Sequence, residues 1–410
     1  MKRTLWRAGL VCPVVEPPIR DGAILLEGGR VRAVGPAARL LTDAPGAEVR
    51  EFAKAVLVPG LVNAHVHLEL TLLSIPRLPM AEWIVRLVRE TRGWEPDRFL
   101  ASARAGARES LAAGVTCVGD ISLSGQSAAA VAEAGLRGVV FHEVLGLDPG
   151  RAGAVMAERL PLLEGAQRGA ARPGVSPHAP YSTSLDLYEM ALSAAGKRGW
   201  PAATHLAESP EEVRFLARGE GPFADMHKAL GVPCEGYAPP GKTPVRHLAA
   251  AGLLEGLDLA VHCNRTDAEE WALLRRAGVS VCLCPRTAVF FGHPFADAEG
   301  MREAGLPLCL GTDSRASSPS LSPLEEAAAL GEAAPSLSPD ALLGMCTRAG
   351  AEALGVAGEG VGALSPGGAA DFALIEPPGE DPPGAAGLFL PGAEVCLTAV
   401  GGEVAYPPPD

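Results

Sequence analysis

The middle of the chain alternates between short apolar runs and longer stretches of helical composition. The runs have the length of buried strands, and the stretches between them are rich in Ala, Leu, Glu and Arg. Apolar runs separated by helical patterns indicate βαβ units, and eight strands in about 300 residues is the size of a (β/α)8 TIM barrel, an α/β fold. The eight runs cover residues 56–64, 115–119, 138–145, 173–177, 201–206, 258–263, 279–284 and 307–312.

A doubly wound open sheet is the alternative α/β architecture. Such a fold carries a Gly-rich phosphate-binding turn directly after its first strand. Here the first run continues instead into Asn63-Ala64-His65-Val66-His67. The pattern therefore favours the barrel over the open sheet.

The two ends of the chain have a different, β-rich pattern. Apolar stretches at 23–27 and 30–34 flank Gly28-Gly29, which is typical of a β hairpin. Residues 370–375 and 394–400 have a similar pattern near the other end. We therefore predict one small β-sandwich domain built from both termini. The predicted boundaries are 1–57 and 356–410 for the two parts of the β-sandwich, and 58–355 for the barrel that carries catalysis.

Composition limits the partners and the compartment. The 410 residues are 48% hydrophobic and 20% charged, with a formal net charge of −13. Nucleic acids and anionic membranes bind basic patches, so neither a nucleic-acid polymer nor a membrane is an expected partner. No secretory signal is present, and no apolar run reaches the roughly 18 residues of a membrane span. The nine Cys lack regular spacing, which fits a reducing compartment, and we expect a cytoplasmic protein.

Polar residues that end the apolar runs are the candidates for chemistry, because active sites of TIM barrels lie at the carboxyl ends of the strands. His65 and His67 end the first run, and residues two apart in a strand face the same side. A single His-x-His pair is a weak signal. However, His205 ends the fifth run and Asp313 the eighth. Scattered core residues do not easily explain the whole set.

Three imidazoles and one carboxylate suit one divalent metal ion with a position left open for water. We expect Zn²⁺, with Fe, Ni or Mn as alternatives. A metal at such a site lowers the pKa of water towards about 7. Glu208 follows His205 by three residues, where it can face the substrate, and His262 ends the sixth run.

In this order the motifs resemble the amidohydrolase superfamily, and within it the mononuclear nucleoside deaminases and chlorohydrolases. Binuclear members carry a carboxylated Lys at the end of the fourth strand, whereas His178 ends that run here. Cytidine-type zinc deaminases need a Pro-Cys-x-x-Cys element, which Cys282-Leu283-Cys284-Pro285 does not match. The resemblance covers nearly the whole chain, through Pro59 to His67, Pro177 to Ser182, Thr204 to Ser209, Val261 to Cys263, Gly311 to Ser314 and Gly362 to Gly367.

The resemblance implies a catalytic role for three of these residues. Glu208 would protonate a ring nitrogen of the substrate, while His262 and Asp313 would take the proton from the attacking water. His178 would contact the substrate rather than the metal. The resemblance also suggests a homodimer.

Within that branch the chain resembles the aminodeoxyfutalosine deaminases of an alternative menaquinone pathway. This implies hydrolytic deamination of an adenine-containing nucleoside. A chlorohydrolase, or a deaminase of guanine, a triazine, S-adenosylhomocysteine or methylthioadenosine, is the alternative. A catalytically inactive scaffold would lack some of the ligands, whereas all are present here.

The sequence identifies the substrate-binding residues less specifically than the metal ligands. Nucleoside-deaminating relatives carry a ribose-binding Glu about nine residues after a Trp matching Trp83, and this position is Arg92 here. An Arg suits a carboxylate, so Arg86, Arg89 and Arg92 are hypothetical clamps for a substrate carboxylate. A solvated face of an amphipathic helix explains them as well. Further candidates for substrate contact are Trp83, Glu69 and, at the end of the third run, Glu143.

Overall fold

The two ends of the chain form one seven-stranded sheet in the computed structural model, which describes residues 3–165, 171–232, 238–379 and 384–407. Gly28 and Gly29 have φ values of 59° and 74°, which make the tight turn of the predicted hairpin. Numbered along the chain, the strands are β1 Arg3–Val11, β2 Ile19–Glu27, β3 Arg30–Pro36, β4 Glu48–Pro59, β13 Phe372–Glu376, β14 Glu394–Val400 and β15 Glu403–Tyr406. Their order is β15-β14-β13-β4-β1-β2-β3, so strands from both termini share one small domain.

The central strands form two four-stranded parallel sheets, one with the order β5-β6-β7-β8 and one with the order β12-β11-β10-β9. Each of the eight predicted runs overlaps one of these strands. They are β5 Leu61–Val66, β6 Val115–Ser122, β7 Arg137–Val144, β8 Ala171–Pro177, β9 Ala203–Leu206, β10 Leu259–His262, β11 Ser280–Leu283 and β12 Leu308–Leu310.

Single bridges join the two sheets at both edges. Val175 of β8 pairs with Ala202 just before β9, and Val66 of β5 pairs with Asp313 just after β12. Both bridges are parallel, so the eight strands close into a barrel. The predicted α/β fold, a TIM barrel with a small β domain from both termini, is confirmed.

Helices follow or precede the barrel strands and cover their outer surface. The stretches of helical composition in the sequence correspond to several of them. The helices are α1 Ala37–Asp43, α2 Met80–Thr91, α3 Pro96–Ala112, α4 Ser127–Glu133, α5 Ala152–Gly165, α6 Leu185–Gly196, α7 Pro210–Arg218, α8 Pro222–Leu230, α9 Pro244–Ala250, α10 Ala268–Ala277, α11 Pro285–Phe291, α12 Ala298–Glu303, α13 Pro323–Ala333, α14 Pro339–Met345 and α15 Arg348–Ala353.

The barrel strands are buried on both faces, as parallel strands between helices must be. On β7, Val139 and Phe141 pack in a cluster inside the barrel, whereas Val140 and Val144 pack in the outer cluster beneath the helices. Successive side chains of a strand point to opposite faces, which accounts for this alternation. The same alternation directs the last inward residue of each strand towards the mouth of the barrel.

A buried ion pair connects the barrel to the β domain. The guanidinium of Arg137, at the start of β7, donates to Asp371, just before β13, with an Nε to Oδ2 distance of 2.5 Å. The Asp371 carboxylate also accepts the backbone N–H of Gly401 at 2.7 Å, and the residue is 2% exposed. Its charge is therefore balanced almost entirely by Arg137.

Substituting Arg137→Ala should destabilise the protein by about 3 kcal/mol, because it leaves the Asp371 carboxylate buried without its counter-ion. Urea unfolding measures the change. Arg104→Ala is the control, since Arg104 pairs with Glu133 at the surface and both side chains are exposed. We expect no measurable shift for the control, and equal shifts for both variants would contradict the role given to the buried pair.

Among the described helices, none combines the length and apolar character that a membrane span requires. The eight described cysteines are all free, and seven of them are buried. Cys234 lies outside the described residues.

Candidate metal and catalytic site

The seam that closes the barrel brings two predicted metal ligands together. The backbone N–H groups of Thr312 and Asp313 both donate to the carbonyl of His65, each at 3.0 Å. The buried Asn63 side chain fixes the same seam, since it donates to Thr312 Oγ1 at 2.7 Å and accepts the Thr312 N–H at 3.0 Å. His65 and Asp313 are thereby held side by side at the mouth of the barrel.

The four predicted ligands converge on one point. Asp313 Oδ1 lies 3.5 Å from His65 Nε2 and 3.4 Å from His67 Nε2. His67 Nε2 lies 3.3 Å from His205 Nε2. One nitrogen of each of the three histidines lies within 4.8 Å of those of the other two. The side chains at the ends of strands β5, β9 and β12 thus lie together in a single cluster.

Burial favours the neutral, metal-binding form of the His67 and His205 imidazoles. It lowers the pKa of His67 to about 3, and nearby His65 adds to the effect. It also lowers the pKa of His205 well below the usual value. His205 Nδ1 donates to the backbone carbonyl of His178 at 2.9 Å, which leaves Nε2 as the free ligand atom.

The cluster fits a divalent cation. Neither ring nitrogen of the buried His65 has a hydrogen-bond partner among the described residues, although unpaired buried polar atoms are rare. A metal ion would satisfy His65 Nε2, the ring nitrogen that lies 3.5 Å from Asp313 Oδ1, together with His67, His205 and Asp313. Nitrogen and carboxylate ligands in this combination suit Zn²⁺ or a neighbouring first-row metal.

The two predicted proton-transfer residues lie beside the cluster. Glu208 Oε2 is 3.6 Å from His262 Nε2, and the two residues are 5% and 1% exposed. Together with Asp313 they form a second group whose ligand-type atoms lie within 4.8 Å of one another. Burial, together with the negative charge of Asp313, raises the pKa of Glu208 well above the usual value, whereas burial lowers the pKa of His262 to about 3. A carboxylic acid and a neutral imidazole are the forms expected of a proton donor and a proton acceptor.

Backbone strain concentrates at the same end of the barrel. Of the six non-glycine residues with positive φ that the structure describes, four lie at or just after the ends of strands β9, β10 and β12. Strain of this kind persists where the surrounding structure enforces it, and it is common at active sites. The four are Ala207, His262, Cys263 and Asp313, with φ of 51°, 74°, 51° and 57°.

Glu212 holds the backbone from which Glu208 projects. Its carboxylate accepts the N–H of Glu208 at 2.7 Å and the N–H of Ala207 at 3.2 Å. On the other side, the Glu208 carbonyl accepts from Asn264 Nδ2 at 3.2 Å. The backbone of Glu208 is therefore fixed from both α7 and the end of β10.

Replacing Glu212 with Gln should lower kcat by about 10- to 100-fold with little change in KM, because a small displacement of a catalytic group is costly. An amide retains one acceptor oxygen and places an N–H donor against a backbone N–H. Steady-state kinetics measures the split between kcat and KM. Glu270→Gln is the matched control, since Glu270 is 1% exposed and occupies the equivalent position in α10. A control variant with an equal loss of kcat would show that Glu212 has only a structural role.

Two predicted substrate residues lie at the mouth of the barrel. His178 follows β8, and its Nε2 lies 3.9 Å from Glu143 Oε1. Trp83 of α2 is 8% exposed and packs in one cluster with Ala316, in the loop after Asp313. The indole Nε1 of Trp83 is buried without a hydrogen-bond partner among the described residues.

Four other predicted substrate residues are not brought to the cluster. Glu69 is buried, and its carboxylate accepts the N–H groups of Leu123 at 3.1 Å and Ser124 at 3.0 Å, so it secures the loop after β6. Arg86 is exposed and pairs with Glu90 one turn along α2 at 2.7 Å. Arg92 is exposed at the end of the same helix, and neighbouring Arg89 is also exposed.

Two supporting residues were not predicted from the sequence. Ser317 Oγ donates to Asp313 Oδ2 at 3.1 Å, which leaves Oδ1 facing the histidines. Glu212 is the second. A signal for Glu212 exists, because Ser209 followed three residues later by Glu212 is the pattern of a capping box. No comparable signal marks Ser317.

A model of the amidohydrolase family matches residues 56–405. This range includes every residue of the histidine cluster and all eight barrel strands.

The chain belongs to the amidohydrolase family. It is a hydrolase, and the predicted action on C–N bonds is confirmed.

This amidohydrolase is similar to several proteins that are named as deaminases. It is 32% identical to an aminodeoxyfutalosine deaminase of Deinococcus radiodurans, over 82% of this chain and 81% of that protein. It is 28% identical to a 5-methylthioadenosine/S-adenosylhomocysteine deaminase of Carboxydothermus hydrogenoformans, over 87% of this chain and 80% of the relative. A solved adenosine deaminase of Xanthomonas campestris with bound zinc has a TM-score of 0.81 and 25% identity, over 98% of this chain and 92% of that one.

Proposed function

We propose that this amidohydrolase is a metal-dependent deaminase that replaces the 6-amino group of an adenine-containing nucleoside with an oxo group. The observation that carries the proposal is the pairing of Glu208 with His262 at 3.6 Å beside the histidine and aspartate cluster. Hydrolytic deamination of an aromatic ring needs a proton donor for the ring and a proton acceptor for water. The site offers both next to a place for a metal.

Each residue of the site has a separate role in the proposed reaction. A divalent ion held by His65, His67, His205 and Asp313 would supply hydroxide at neutral pH. Glu208, protonated because it is buried, donates to the ring nitrogen next to the reacting carbon. His262 and Asp313 accept the proton of water and orient the nucleophile. The new C–O bond forms, the C–N bond breaks, and the first proton of water leaves with the amino group as ammonia. The second proton of water, released as the new hydroxyl becomes the oxo group, returns Glu208 to its protonated form.

Aminodeoxyfutalosine is the proposed substrate. The support is the 32% identity to an aminodeoxyfutalosine deaminase. Methylthioadenosine and S-adenosylhomocysteine are the nearest alternatives, since a relative with 28% identity acts on them. All three carry an adenine ring on a sugar, so the residues around the metal position serve each of them equally.

Ammonia release from aminodeoxyfutalosine, methylthioadenosine, S-adenosylhomocysteine, adenosine and guanine, measured side by side, tests the proposal. We expect the highest kcat/KM on aminodeoxyfutalosine. Turnover of guanine with none of the four adenine nucleosides would refute a nucleoside deaminase. Chloride release from a chlorinated triazine, in the same series, would favour the chlorohydrolase that shares this type of site.

A further inference from the structure

Glu143 is the last inward-facing residue of β7. Val139 and Phe141 precede it at intervals of two, and both pack inside the barrel. The strand alternation therefore directs the Glu143 side chain to the same interior, one layer above Phe141. This layer is at the carboxyl end of the strand, where it meets the candidate site. Neither metal ligation nor proton transfer, as described above, uses Glu143.

Part of this carboxyl group has no partner. Glu143 is 8% exposed, and its Oε1 atom makes no hydrogen bond to any described residue. The nearest polar atom recorded for it is His178 Nε2, at 3.9 Å. That distance is too long for a direct hydrogen bond. A single oxygen atom bound between the two groups could contact both, as bridging waters commonly do.

The hydrogen bonds of His178 show what kind of group can bridge the gap. His178 Nδ1 is hydrogen-bonded to Ser182 Oγ. If Nδ1 donates to Ser182, then Nε2 is an acceptor, and the bridging group must donate to Nε2 and accept from a protonated Glu143. If Ser182 donates instead, Nε2 carries the proton, and the bridging group accepts from Nε2 and donates to the Glu143 carboxylate. In both arrangements the bridging group needs one donor and one acceptor, which a hydroxyl provides.

We propose that Glu143 and His178 together bind a hydroxyl group on the sugar of the substrate. The proposal rests on the nucleoside specificity proposed above and names two residues that would recognise the sugar. Glu208 and His262 are committed to the reacting ring, whereas Glu143 and His178 project from the neighbouring strand ends β7 and β8. The sugar hydroxyl would take the position between them.

The hydrogen bonds of Ser182 favour the first of the two arrangements, with Glu143 as a donor and His178 Nε2 as an acceptor. Ser182 Oγ also has an acceptor at 3.1 Å, the Ala179 carbonyl, so it is free to accept from His178 Nδ1.

The test compares the nucleoside with the highest kcat/KM in the ammonia assay with its 2′-deoxy and 3′-deoxy analogues. On wild-type holoenzyme, one analogue should lose about 10- to 100-fold in kcat/KM, since a buried group left unpaired costs about 1–3 kcal/mol. Glu143→Leu should show the same loss on the parent nucleoside and less than about threefold further loss on that analogue. Glu143→Gln can still donate or accept a hydrogen bond, so on the parent nucleoside it should lose less kcat/KM than Glu143→Leu.

Each outcome decides the proposal. If wild type turns over both deoxy analogues as fast as the parent nucleoside, the hydroxyl contact does not exist, and this result needs no variant. If Glu143→Leu loses the same factor on parent and analogues, the residue has a structural role only. In either case deamination of the parent by wild type leaves the proposed function standing. Failure of wild type on every nucleoside would instead refute the proposed function itself. Metal content and thermal unfolding of each variant confirm that the site is intact.

Discussion

Glu208→Gln should lower kcat/KM for nucleoside deamination by about 10²- to 10⁴-fold, the usual contribution of general acid–base catalysis. Glutamine keeps the size of the side chain but cannot deliver a proton. Burial raises the pKa of Glu208 well above its usual value, which favours the protonated carboxyl that a general acid needs. Ammonia release under saturating and limiting substrate measures the effect.

The neighbouring Glu211 provides a matched control. It lies in the same segment, its side chain is 29% exposed, and its nearest recorded partner is His293 at 3.8 Å. We expect Glu211→Gln to stay within about threefold of wild type, because Glu211 takes no part in the proposed metal binding or proton transfer. Both variants should bind one metal ion per chain. A Glu208→Gln enzyme that keeps most of its activity would remove Glu208 from the mechanism and would require another acid.

The barrel and the core of the site could be predicted because they follow from simple periodicities. Parallel strands all end at one mouth, so polar residues ending the runs, such as His65, His205, His262 and Asp313, had to meet there. The spacing of two between His65 and His67 needed only the alternation of a strand. The positions of these residues depend on the strands and not on the conformation of any loop, and for this reason they could be predicted.

The positions of the predicted substrate-binding residues depend on loop conformations and on the rotation of a helix about its axis. Sequence periodicity does not determine either of these. The pattern of α2 predicts an amphipathic helix, but only packing against its neighbours shows that Trp83 faces inward and Arg86 outward. Likewise, Glu69 has the spacing of a residue at the mouth, yet the backbone N–H groups after β6 bind its carboxylate. A carboxylate clamp at Arg86 stays a prediction without support from a contact.

The distribution of strain links the two parts of the site. His262 and Asp313 have left-handed φ values, which non-glycine residues adopt at a cost. Asn63, Glu212 and Asn264 provide the hydrogen bonds that hold such segments in place. We infer that these hydrogen bonds offset the cost of the strained backbone and keep the mouth of the barrel rigid. Variants of these supporting residues should therefore affect the rate more than the substrate affinity.

His205→Ala should abolish metal binding and lower kcat/KM by about 10³-fold or more, because a catalytic metal contributes several kcal/mol to the transition state. His205 Nε2 lies 3.3 Å from His67 Nε2, and its Nδ1 is fixed by the His178 carbonyl. Elemental analysis of the purified protein measures the metal, and the ammonia assay measures the rate.

Chelation provides an independent test on the wild-type chain. Dialysis against a chelator should remove the activity and lower the melting temperature, since a ligand that binds only the native state stabilises it. Adding back Zn²⁺, Fe²⁺, Mn²⁺ or Ni²⁺ separately identifies the metal that restores the rate. His247→Ala, in α9 and outside the cluster, is the control and should retain metal and activity. Full activity of the chelated enzyme, or of His205→Ala without metal, would overturn the metal site, because the four ligands would then have no catalytic role.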